Sequence, residues 1–67
     1  MPKLYSSAEI IRVLERNGFA FVAQRGSHIK FRCGSRVVIV PANRREIPMG
    51  TFRSILRQSG LSDADFS

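Results

Sequence analysis

The chain predicts an α+β fold in which two helices lie on one face of a three-stranded antiparallel sheet, in the order α-β-β-β-α. Segments with apolar residues at helical spacing stand near either end, and between them lie three short runs rich in β-branched and aromatic residues. Those runs are joined by Arg25-Gly26-Ser27 and Gly34-Ser35, connections short enough to imply antiparallel neighbours. With 67 residues the chain makes one domain, residues 1–67. A chain of that length buries only about 60% of its unfolded surface, so two layers are the practical limit.

The first helix starts at Ser6-Ser7-Ala8-Glu9, which has the spacing of a capping box. Ile10, Ile11, Val13 and Leu14 form its apolar stripe, Arg12, Glu15 and Arg16 point outward, and Asn17-Gly18 supplies the stop. Phe19-Ala20-Phe21-Val22-Ala23-Gln24 reads as a strand with apolar residues on both faces, and the pattern leaves its inward side open. In the next strand Ile29, Phe31 and Cys33 alternate with His28, Lys30 and Arg32, giving one dry face and one wet one. This strand takes the middle of the meander. Arg36-Val37-Val38-Ile39-Val40 forms the third strand, which Pro41 ends because it cannot donate to a ladder.

A polar loop through Asn43-Arg44-Arg45-Glu46 is closed by Pro48-Met49-Gly50, and Thr51 then caps or begins the second helix. Phe52, Ile55, Leu56 and Ser59 face the sheet, Arg53, Arg57 and Gln58 face water, and Gly60 ends the helix. Ser62-Asp63-Ala64-Asp65 opens one further turn. The chain has no internal repeat, linker or low-complexity segment.

Apolar residues make up 43% of the chain, and no apolar run approaches the roughly 20 residues that cross a bilayer, which argues against a membrane role. Met1-Pro2-Lys3-Leu4 lacks the apolar core of a secretion signal, so the expected location is cytoplasmic. The lone Cys33 fits a reducing compartment and serves as a small core filler. One histidine and one cysteine on opposite faces of a strand complete no metal shell, so neither a metal nor another cofactor is expected. The stronger signal is charge. Eleven Lys and Arg against five Asp and Glu give a formal +6, and four of the five acids, Glu9, Glu15, Asp63 and Asp65, fall outside the stretch from Arg25 to Arg57. Such asymmetry points to an anionic partner. Nine of the eleven cations are arginine, whose planar fork holds phosphate oxygens through two parallel hydrogen bonds.

The candidate site is Gln24-Arg25-Gly26-Ser27-His28-Ile29-Lys30-Phe31, which contains the one histidine of the chain. Alternation sets the imidazole on the open face of the sheet with Lys30 and Arg32, and Gly26 supplies a tight turn where a ligand can approach the backbone. A titratable ring beside a glycine turn and among cations suits chemistry on a phosphate.

Gly26-Ser27-His28, then Val38-Ile39-Val40-Pro41, then Gly50-Thr51-Phe52-Arg53-Ser54-Ile55-Leu56-Arg57-Gln58-Ser59-Gly60-Leu61 form together a pattern that resembles the HicA (YcfA-like) toxin family over nearly the whole chain. The resemblance implies the fold of double-stranded RNA-binding domains and the activity of an mRNA interferase, the toxin of a toxin–antitoxin pair silenced by a HicB-type antitoxin. It sets the family's catalytic histidine on His28 and its motif glycine on Gly26. Many relatives carry a second histidine just after the Val-Pro, where this chain has Ala42-Asn43; asparagine shuttles no proton near neutral pH, which leaves a two-histidine mechanism without its second imidazole here.

On that footing the expected activity is metal-independent RNA cleavage using the substrate's own 2′-hydroxyl, with His28 as general acid/base. Arg25, Lys30 and Arg32, with the Gly26 or Ser27 amide, are assigned to the phosphate, and Arg44 and Arg45 extend the groove. Lys30, Tyr5 or water stand as candidates for the acid. The expected partners are mRNA and an antitoxin that covers the His28 face. Two other readings remain open on the residues alone: a non-catalytic RNA-binding module of the same fold, and a basic protein that meets an acidic partner.

Overall fold

The computed structural model describes residues 3–67, so the Met1 and Pro2 of the N-terminal reading lie outside the described residues. Its elements are α1 (Ser7–Arg16), β1 (Ala20–Arg25), β2 (His28–Cys33), β3 (Arg36–Pro41), α2 (Met49–Ser59) and a closing 3-10 turn over Asp63–Phe66. The sheet order is β1-β2-β3, antiparallel throughout, with the His28 strand in the centre as the two short connections predict.

Helix α1 begins where the capping box requires. The Glu9 N–H donates to Ser6 Oγ (3.1 Å) and the Ser6 N–H donates to Glu9 Oε1 (2.9 Å), which satisfies two otherwise orphaned donors. Ile10 and Leu14 are fully buried, while Ile11 and Val13 at the margins of the stripe are only half covered. Helix α2 corrects the sequence reading, since it starts at Met49 rather than Thr51, with Pro48 as N-cap at φ −56. Proline is pre-set for that conformation, and with no side-chain cap the first-turn N–H groups are left facing outward for other acceptors.

The buried side of the sheet, Phe31, Val38 and Val40, packs with Ile10 and Leu14 of α1 and with Phe52 and Ile55 of α2. Phe66 joins them from the 3-10 turn, its ring 5.0 Å from Phe52 and 5.7 Å from Tyr5. β1 runs over Ala20–Arg25 rather than Phe19–Gln24, and its inward side, which the pattern left open, is not covered. All six of its residues are exposed, because the helices cover β2 and β3 and leave this edge uncovered. A register shift between Phe21 and Ala23 leaves Val22 as a bulge, a device that discourages edge-to-edge pairing.

The loop from Ala42 to Ile47 is pinned to the opposite end of the chain. The Ser7 N–H donates to the Arg44 carbonyl (3.0 Å), the Arg44 N–H donates to Ser7 Oγ (3.0 Å), and the Ser7 hydroxyl donates to the Pro41 carbonyl. The Ile47 N–H donates to the Tyr5 carbonyl (2.8 Å). Among the described residues no helix is long and apolar enough to cross a membrane.

Candidate nucleic-acid interface

Residues paired across an antiparallel ladder share a face, so the register defines the open side of the sheet. Its rows are Arg25–His28–Pro41, Ala23–Lys30–Ile39 and Ala20–Arg32–Val37. His28, Lys30 and Arg32 are all exposed, whereas their neighbours Ile29, Phe31 and Cys33 are buried or half-buried on the helix side. Arg25 stands directly across from His28, at the roughly 5 Å Cβ spacing of such pairs.

Two shallow depressions meet at His28 and Ile39. One, of about 350 Å³, runs over Pro41 to Arg44 and to Pro48, Thr51, Ser54 and Gln58 of the second helix and its cap. The other, of about 400 Å³, runs the opposite way over Ala23, Arg25 and Lys30. His28 thus sits at the junction of a groove that crosses the sheet. Neither half is lined by a carboxylate, so Arg25, Lys30 and Arg44 have no acid beside them there. The first turn of α2 carries no acidic residue and no side-chain cap, which adds its partial positive charge at the Pro48–Thr51 end. The arrangement is suited to hold an anion against an imidazole.

The structure gathers some of the expected site residues and disperses others. Gly26 and Ser27 form the turn immediately before His28 without lining either depression. Gly26 has φ +56, and a Cβ there would meet nothing within 4 Å, so glycine is needed for the backbone conformation and not for space. The Ser27 carbonyl accepts from the Ala42 N–H (2.7 Å), which continues the β2–β3 ladder past His28 and fixes its end. Arg32 lies two positions beyond Lys30, and its Nε donates to the Gly34 carbonyl (3.1 Å). Arg44 lines the groove and also borders a second hollow, which it shares with Asn43, Arg45, Ala8, Ile11 and Ile29; Arg45 lines only the latter. Of the side chains named as acids, Lys30 shares a depression with His28; Tyr5 stacks against Phe52 and Phe66 and borders a different one.

Four residues of this region escaped the sequence reading. Ser7 is buried and holds the Arg44 backbone, yet in sequence it is indistinguishable from a second capping serine. Thr51, Ser54 and Gln58 did carry a signal, because i, i+3, i+7 spacing puts them on one stripe of α2. That stripe adjoins the buried one and reaches round the β3 edge: the Ile39 N–H donates to Gln58 Oε1 (3.0 Å). Among the described residues no group of three or more His, Cys, Asp and Glu side chains is placed to hold a metal ion.

No curated protein matches the chain. A family model does, that of the HicA toxin of bacterial toxin-antitoxin systems, over residues 7–61. That span takes in α1, the whole sheet, the Arg44 loop and α2, every element that builds the groove. The chain belongs to the HicA toxin family.

Proposed function

We propose that this toxin is a metal-independent endoribonuclease acting on mRNA, with His28 as its general acid/base. The observation that carries the reading is the position of His28, exposed at the junction of a carboxylate-free groove with Arg25 across the ladder and Lys30 two residues along the strand. RNA brings its own nucleophile. His28 takes the 2′-hydroxyl proton, the 2′-oxygen bonds to phosphorus, and the bond from phosphorus to the 5′-oxygen breaks as that oxygen takes a proton from Lys30 or water. The products are a 2′,3′-cyclic phosphate and a 5′-hydroxyl. Arg25, Lys30 and Arg44 meet the phosphate oxygens where charge builds, the larger contribution in most phosphoryl chemistry. The Gly26 and Ser27 turn presents backbone beside them, and Arg32 and Arg45, outside the groove, meet the RNA backbone further along. No step is assigned to a metal.

As a HicA toxin the chain pairs with an antitoxin. We place that antitoxin, of the HicB type, over the His28 face. Val37, 41% exposed, and the half-buried Ile39 and Pro41 give this basic face apolar footholds for an acidic partner. Both partners put the site of action in the cytoplasm.

The test is incubation of the purified chain with mRNA in EDTA. Cleavage leaving a 2′,3′-cyclic phosphate is expected, reduced about a hundred- to ten-thousand-fold in His28→Ala while RNA binding persists. Products with a 5′-phosphate, or undiminished cutting by His28→Ala, would overturn the assignment; binding without any cleavage would make the chain an RNA-binding module instead.

A further inference from the structure

Gln58 is doubly engaged. Its Oε1 accepts the Ile39 N–H (3.0 Å), and its side chain also lines the groove that begins at His28. A backbone N–H only donates, so this bond fixes which end of the amide is oxygen and turns the nitrogen, with its two hydrogens, away from the strand. Among the described residues that nitrogen makes no other hydrogen bond. One helical turn earlier, Ser54 Oγ accepts from Arg57 Nη2 (3.3 Å), which leaves its own hydrogen to donate. The α2 wall of the groove therefore presents donors. Ile39, Pro41 and Pro48 line the same depression as an apolar floor, with Arg44 at its border, while Arg25 and Lys30 line the other depression beyond His28.

We infer that this wall is a base-reading subsite, in which a nucleobase next to the phosphate held at His28 lies on the Ile39–Pro41–Pro48 floor and presents a carbonyl oxygen to Gln58 Nε2, with Ser54 as second donor. The proposal rests on the RNA-binding part of the function proposed above and deepens it to a preference. Single-stranded RNA is read through exposed base edges, and a donor selects bases that carry a keto group where their counterparts carry an amino group: uracil over cytosine, guanine over adenine. The uncharged floor of Ile39, Pro41 and Pro48 suits a base rather than a phosphate, and the cations that border this wall, Arg44 and the Arg57 that donates to Ser54, are left for the phosphates on either side of that base.

The test uses short 2′-O-methylated oligo(U) and oligo(C), which lack the internal nucleophile and stay intact, so binding is read independently of cleavage. The wild-type chain is expected to bind oligo(U) about fivefold more tightly than oligo(C), the worth of one neutral hydrogen bond. Gln58→Glu keeps an oxygen for the Ile39 N–H but replaces the donor with an acceptor, and it brings that ratio to one or below. Equal affinities in the wild type, or a ratio that survives Gln58→Glu, overturn the proposal. Gln58→Ala, which loses the strand cap as well, is expected to lower Tm by about 4–8 °C, whereas Gln58→Glu melts near wild type. Should Gln58→Glu melt below the assay temperature, Ser54→Ala carries the test, because it removes a donor without touching Ile39; an unchanged ratio there overturns the subsite. RNA left uncut, or cut without His28, would sink the nuclease reading alone and leave this ratio still to be read.

Discussion

Ser7 shows how one buried hydroxyl positions a charge that the proposed chemistry uses. It ties the Arg44 backbone to the start of α1 through both its main chain and its side chain, and so holds the Arg44 loop beside His28. Ser7→Ala strands the Pro41 carbonyl and the Arg44 N–H, and is expected to lower stability by about 1–3 kcal/mol in denaturant unfolding. RNA affinity should fall with it; full retention of affinity would show that the loop finds its place without the serine. His28 itself was legible because alternation is a local property; Arg25, which the sequence placed in the turn, belongs instead to β1 and stands opposite His28, because only Gly26 and Ser27 turn the chain. Ser7 and Gln58 were not, since each acts through a partner remote in sequence, 37 and 19 residues away.

At the level of elements, α1 carries a pH-dependent cap. The Glu9 carboxyl is held below its ordinary 4.5 first by the Ser6 N–H and then by Lys3, and the Lys3 ammonium is raised above 10.5 by Glu9. A lowered carboxyl contributes stability that is present above the unfolded value and lost as pH falls through the folded one. A raised ammonium contributes below 10.5 and is lost as pH rises through its folded value. The cap is therefore complete across the neutral range, and Glu9→Ala should flatten part of the acid limb of a Tm-against-pH curve; an unaltered limb would show that the cap contributes nothing there. The 3-10 turn does more than the sequence suggested. Phe66, 7% exposed, closes the aromatic group with Tyr5 and Phe52, so Phe66→Ala should cost about 3 kcal/mol. A loss below 1 kcal/mol would mark the turn as peripheral.

Across the whole molecule the formal +6 is distributed unevenly, and the groove draws on three of its cations, Arg25, Lys30 and Arg44. Three phosphate contacts on a single strand give a slope of about −2 in log affinity against log salt. Arg44→Ala should make that slope shallower by about 0.7 and weaken binding at every sequence. Arg45→Ala, outside the groove, should do less of both. Equal effects would mean that the RNA path crosses the hollow between Arg45 and Ile11 as well. The same open face is the one proposed for the antitoxin, so the two partners compete, and added antitoxin should displace bound RNA.

Local pattern was enough for the element order, the capped start of α1, the central strand and the outward histidine. Each of these is encoded in dihedral preference or in a period of two or 3.6 residues, and needs no knowledge of what lies across the fold. Long-range packing alone left β1 uncovered, brought Arg44 but not Arg45 to the groove, and turned one stripe of α2 into its wall. Those outcomes follow from where α2 settles against β3 and where Ser7 anchors the returning loop, and such contacts join residues far apart in the chain that no local pattern relates.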